Sequence, residues 1–279
     1  KTRMKKIPIS VKNSEYQVIQ SLKLNRVKRK QLGEVFVEGT ESIKQAIHAG
    51  IEITRIIIYD EAQLSNWGKL LIKNSQARVI EMSYALYKEL CDREEPSEML
   101  ITARITPVEL AELSLPEKPF VLVFDRPSDY GNFGSIVRSA NSFNVDAILV
   151  VGHGIDYYDP KVIRSSLGSI FHTKIVHVPS MQELQNWIEE QKNKNDHNVV
   201  GTDSTGSVSI FDYELGRPIA LILGNAAKGM SIALKNMCDR VIKIPISGAV
   251  NSLNVSCAGS ILLWEVYKNN QVRHTTDRS

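Results

Sequence analysis

Cysteine is scarce and scattered in this chain. Only Cys91, Cys238 and Cys257 occur in 279 residues, an odd number without paired spacing, which argues against a disulfide framework or a cysteine-built zinc site and fits a reducing cytoplasm. Long apolar runs are missing too. No stretch reaches the length of a membrane span and the first residues hold no hydrophobic segment, so neither a membrane anchor nor a signal peptide is expected. The six histidines show no HExxH or comparable ligand spacing, and no G-x-S-x-G elbow is present, so metal and hydrolase chemistry both lack residues. Two glycine-rich motifs are incomplete. Gly224 to Ser231 follows the P-loop pattern except that Met230 stands at the lysine position, which argues against nucleoside-triphosphate hydrolysis. Gly152-His153-Gly154 has Tyr157 where a dinucleotide fingerprint needs its third glycine.

What is present is a large apolar fraction, 43%, enough to bury one large or two ordinary domains. The formal net charge is only +3, but residues 1 to 32 carry ten Lys and Arg against the single Glu15. That local basic patch is either a solvated arm or a surface for an anionic partner.

Strand and helix patterns alternate along the whole chain. One helix is expected over 14–32, strands at Val35–Val37, Ile53–Tyr59, Ala77–Ile80 and Met99–Ile105, and helices at Ser42–Ala49, Trp67–Asn74 and Ser83–Cys91. This describes a small α/β domain over residues 1–105. Residues 106–118, with Pro107 and Pro116 around an acidic stretch, read as a linker. From 119 to 279 the apolar runs Phe120–Phe124, Ala147–Val151, Lys174–Val178, Asn198–Gly201, Ile219–Leu223 and Val241–Ile244 read as strands of a parallel sheet. Helices fall between them at Phe133–Ser142, Lys161–Ile170, Met181–Lys192 and Ile232–Met237. In such a sheet ligands bind beyond the carboxyl ends of the strands.

Three polar segments fall after those ends. In the first, Asn132 reads as a helix N-cap and Arg138 follows almost two turns later, among apolar neighbours that suggest partial burial; its guanidinium calls for a carboxylate or phosphate. The second is Gly224 to Ser231. The third is Ile244 to Val266, a strand end, a polar loop and an apolar helix that Asn251 or Ser252 would cap.

Together these segments resemble the motifs of the SpoU/TrmH class of SPOUT RNA methyltransferases. The resemblance rests on Asn132 to Ala140, on Leu223 to Ser231, and on Ile244-Pro245-Ile246 with Ser252 to Val255. Asp159-Pro160-Lys161 with Arg164 to Gly168, and Phe36-Val37-Glu38-Gly39 in the first domain, also match. It implies a substrate-binding first domain, a deep trefoil knot at the end of the parallel sheet, a homodimer, and an S-adenosylmethionine site at Gly224, Ile244, Ile246 and Leu253. It implies further that Asn132, Arg138, Ser252 and Asn254 serve methyl transfer to a ribose 2′-hydroxyl of RNA, with ribosomal RNA favoured over tRNA by analogy with two-domain members. Arg26, Lys28, Arg29, Lys30 and Arg164 would hold RNA. One position departs from the pattern: Ala226 stands where the family usually has glutamate. The alternative is therefore a non-catalytic RNA-binding assembly factor on the same fold.

Overall fold

The computed structural model describes residues 6–276. In chain order its strands are β1 Ile7–Ile9, β2 Glu34–Glu38, β3 Ile53–Ile58, β4 Arg78–Met82, β5 Leu100–Arg104, β6 Phe120–Asp125, β7 Ala147–Val151, β8 Ile175–Val178, β9 Asn198–Thr202, β10 Val208–Ser209, β11 Ile219–Leu223 and β12 Arg240–Lys243. Its α-helices are α1 Ser14–Leu24, α2 Arg26–Leu32, α3 Thr40–His48, α4 Asn66–Asn74, α5 Tyr84–Leu90, α6 Tyr130–Ser142, α7 Pro160–Ser165, α8 Met181–Asn195, α9 Ile232–Met237 and α10 Val255–Thr276. The chain divides into two compact units. One takes the residues up to Thr106 together with Asp156–His172, the other Pro107–Ile155 and the chain from Thr173 on.

The first unit is a five-stranded mixed sheet in the order β1-β4-β3-β5-β2. Tyr16, Ile19 and Leu22 of α1 pack with Phe36, Ile57, Ile80 and Leu100 in its core. The single helix expected over 14–32 is two helices. Asn25 ends α1 in an extended conformation and its side chain accepts the Lys28 N–H, capping α2. Asp156–His172, which the sequence pattern puts in the second domain, belongs to the first unit, where α7 packs on β2 and two of the segment's aspartates pair with Arg29. The Arg29 guanidinium, on α2, is 4% exposed and pairs with Asp156 at 2.7 Å and Asp159 at 3.2 Å. Its Nη1 also donates to the carbonyls of Leu22 (2.8 Å) and Lys23 (2.9 Å), so this charge is buried and fully matched.

The second unit is a seven-stranded, all-parallel sheet in the order β10-β12-β9-β11-β6-β7-β8. Its central strands are buried along their whole length, as continuous Val, Ile and Leu runs require. Residues 107–118, read from sequence as a linker, are anchored here: Val108, Leu110, Leu113 and Leu115 pack on the core that Val121, Leu149 and Trp187 share. The chain moves outward from β6 to β7 and β8, then returns to β9 and β11 on the other side. That reversal falls between β6 and β11, and it opens a crevice at their carboxyl ends.

Candidate functional site

Register brings the ends of four strands to one level. Leu223 of β11 pairs with Phe124 of β6 and Thr202 of β9, and Thr202 pairs with Ile242 of β12. A cavity opens there, walled by Leu223, Ile242, Ile244, Ile246, Leu253 and Leu262 and floored by Gly224, Asn225, Ala226 and Gly229. All four residues expected to hold a cofactor thus line one cavity. Gly224 has a steric reason. A Cβ there would sit 2.5 Å from Met230 N and 2.6 Å from Gly229 C, so a side chain would force the loop apart. Ala226 is exposed, on the rim of the same cavity.

Helix α10 crosses to pack on α6. A Cβ at its Gly259 would lie 3.0 Å from Leu223 Cδ1 and 3.5 Å from Ile136 Cγ1, and Ser139 Oγ meets Ser260 Oγ at 2.7 Å. Two expected caps differ from the structure. Asp129 rather than Asn132 caps α6, accepting the Asn132 N–H at 2.7 Å, because Asp129 is the last extended residue before the helix. Asn254 rather than Asn251 or Ser252 opens α10, its Oδ1 accepting the Ser256 N–H at 2.8 Å. With Asp129 as the cap of α6, the Asn132 side chain is left to meet Asn254, whose Nδ2 donates to Asn132 Oδ1 at 3.0 Å. The loop before α10 is thereby tied to the first turn of α6.

Arg138 is exposed rather than partly buried, and its side chain makes no hydrogen bond or ion pair among the described residues. Position explains this, since Ile136 and Val137 turn inward while Arg138 falls on the open face of α6. Ser252 is exposed on the loop.

The residues expected to hold RNA separate into three kinds. Arg26, Lys28 and Lys30 are exposed on α2. Arg29 is not a surface residue at all, being consumed by Asp156 and Asp159. Arg164 is half-buried and paired with Asp92 at 3.1 Å and Glu38 at 3.6 Å, so its charge is matched internally.

Two carboxylates were not singled out from the sequence. Asp203 lines the cavity and is held by Lys235 Nζ at 2.7 Å and by Thr205 N–H at 2.9 Å. Burial raises its pKa, but the bonds from Lys235 and Thr205 outweigh that and hold the group below the ordinary carboxylate range. Asp125 ends β6 with no exposed surface and grips Arg126. The signal for it was a charged pair directly after a run of five apolar residues. Among the described residues no cluster of His, Cys, Asp and Glu could hold a metal ion, and no helix is long and apolar enough to cross a membrane.

An all-parallel sheet with its cavity at the reversal point, with a separate unit formed largely by the preceding part of the chain, is the architecture of SPOUT methyltransferases. The comparisons agree. The profile of the SpoU rRNA Methylase family matches residues 119–264, and that of the SpoU L30e-like domain matches residues 13–102. The chain belongs to the SpoU rRNA methylase family. It is 35% identical over 263 residues to the 23S rRNA (uridine(2479)-2′-O)-methyltransferase of Streptomyces viridochromogenes, covering 93% of this chain and 91% of the relative. Among solved structures it resembles the SpoU methyltransferase AviRb of Streptomyces viridochromogenes in complex with AdoMet, with a TM-score of 0.87, 33% identity and coverage of 93% and 98%. A crystal structure of an RNA 2′-O ribose methyltransferase gives a TM-score of 0.81 at 27% identity, covering 95% of this chain and all of the other.

Proposed function

We propose that this chain transfers a methyl group from S-adenosylmethionine to a ribose 2′-hydroxyl of ribosomal RNA. The carrying observation is that an apolar cavity with a glycine-bounded floor lies in the same unit as an Asn132–Asn254 bridge and an exposed Arg138 that has no partner among the described residues. The cavity suits the cofactor, because its aliphatic wall of Ile242, Ile244, Ile246 and Leu253 can sandwich an adenine and the backbone at Gly224 can hydrogen-bond its edge. When bound, the cofactor supplies an electrophilic methyl group on a sulfonium.

The chain's own residues then do the positioning. The ribose oxygen must lie on the axis of the bond that breaks, so alignment is worth much of the rate. Arg138 clamps a substrate phosphate with its planar fork. It serves as a clamp and not as a base, because a guanidinium offers only donors and no acceptor. Asn132, Ser252 and Asn254 hold the loop and the ribose, and the hydroxyl proton leaves to solvent. Arg26, Lys28 and Lys30 give the first unit a phosphate-binding face that fixes register without reading sequence. Arg29 and Arg164 take no part in it.

The stretch from Ile244 to Asn254 is read as the closing loop of a deep trefoil knot. The reading is supported by β12 lying next to one sheet edge while α10 packs on α6, so the connection crosses the ends of β9 and β11. A ribosomal substrate would put the work in the cytoplasm. Incubation with methyl-labelled S-adenosylmethionine tests the proposal: label should enter ribosomal RNA and not tRNA. Label in tRNA alone, or in neither, would contradict it.

A further inference from the structure

Both ends of the cavity-floor loop are fastened to one dipeptide at the end of β6. At the start of the loop, Asn225 Nδ2 donates to the Arg126 carbonyl at 2.6 Å. At its end, the Ser231 N–H donates to Asp125 Oδ2 at 3.0 Å. Between these points the loop is closed on itself. Asn225 and Gly229 exchange backbone hydrogen bonds of 3.0 and 2.8 Å, and Asn225 Oδ1 accepts the N–H groups of Ala227 and Lys228.

The dipeptide is itself held in an unusual shape. Arg126 has φ of 43°, in the left-handed region that a side chain disfavours. Its N–H donates to Val151 O of the neighbouring strand at 3.0 Å, and its guanidinium folds back in a two-point grip on Asp125, Nε to Oδ1 at 2.8 Å and Nη2 to Oδ2 at 3.0 Å. Glycine or asparagine would satisfy that backbone at lower cost. The arginine is explained by the buried carboxylate it grips, and an outlier held by so many contacts points to function at this place.

We propose that Asp125 and Arg126 are positioning residues for cofactor binding: they clasp the two ends of the 224–231 loop and so fix the floor of the cavity. Neither lines the cavity, so both act through Asn225 and Ser231. The proposal rests on the cavity being the S-adenosylmethionine site.

Arg126→Gly alone would leave the Asp125 carboxylate buried with little compensation and could unfold the chain. The double variant Asp125→Ala/Arg126→Gly avoids this, because it removes the buried carboxylate together with its counter-charge, leaves the Ser231 N–H without its acceptor, and lets glycine take the left-handed backbone. Two readouts are needed in the full-length protein. Amide hydrogen exchange across Asn225 to Ser231, without cofactor, should quicken about tenfold, as loss of a charge-assisted anchor implies. The KM and Kd for S-adenosylmethionine should rise by a similar factor, about tenfold. The KM for RNA and kcat at saturating cofactor should stay near native, and Arg126→Lys should recover only part of the loss. Unchanged exchange in the loop overturns the clasp. So does a fall in kcat with an unchanged KM for S-adenosylmethionine. Quickened exchange in a protein whose native form binds no S-adenosylmethionine would uphold the clasp on the loop and overturn the cofactor reading instead.

Discussion

Arg29 and Arg138 carry the same side chain into opposite surroundings. Arg29 is sealed against two aspartates and two carbonyls, whereas Arg138 stands on an exposed helix face without a partner among the described residues. Removing each should therefore fail in a different way. Arg29→Ala leaves Asp156 and Asp159 without their counter-charge and should cost about 3–5 kcal/mol of stability, read from urea unfolding. A loss below about 1 kcal/mol would mean that solvent, not the ion pair, satisfies those carboxylates. Arg138→Ala should leave stability and S-adenosylmethionine affinity unchanged while methyl transfer falls about 100-fold, the scale of a lost alignment. Arg138→Lys should recover little, because an ammonium cannot reproduce a two-point grip on phosphate. Equal activity in the lysine variant would reduce Arg138 to a point charge. Sequence alone treated Arg29 like its neighbours Lys28 and Lys30, since the aspartates that bury it lie 127 and 130 positions away.

At the scale of elements, the buried strands were legible because their apolar runs are long and bounded. Phe120–Phe124, Ala147–Val151 and Ile219–Leu223 reappear with at most one residue added. Strands β1 and β10, of three and two residues at the sheet edges, carried no such run, and only their neighbours make them strands. Helix starts were less legible, because several short polar side chains compete to cap. Asp129 displaced Asn132, and Asn254 displaced Asn251 or Ser252, each by accepting a backbone N–H of the first helical turn. The 14–32 helix split for the same reason, at Asn25. The glycine loop was legible as a motif, but its geometry was not. Adding even a methyl at Gly224 meets backbone atoms of Gly229 and Met230 that no rotamer change can move. Gly224→Ala should accordingly destabilise the chain by about 1–3 kcal/mol and weaken S-adenosylmethionine binding, measured by calorimetry. Native affinity in a folded variant would show that the loop tolerates being opened.

At the scale of the whole molecule, α10 leaves Ile261 at 42% and Trp264 at 47% exposed, the latter in an aromatic cluster with Phe143 and Tyr267. We propose that this face pairs two copies of the chain. Light scattering of the native protein should give twice the chain mass, and Ile261→Asp with Trp264→Glu should return it to one; a native monomer at micromolar concentration would contradict the pairing. The missing carboxylate at Ala226 bears on the chain's activity as a whole, because no neighbouring side chain in the floor loop supplies another. In the proposed mechanism, positioning by Arg138, Asn132 and Asn254 suffices for turnover without it. The most direct test is to digest ribosomal RNA with alkali after incubation with the native protein and S-adenosylmethionine. One new alkali-resistant dinucleotide is expected, because a methylated 2′-oxygen can no longer attack its phosphate. Complete digestion by alkali, together with the appearance of that dinucleotide only in the Ala226→Glu variant, would contradict it and leave an RNA-binding protein without turnover.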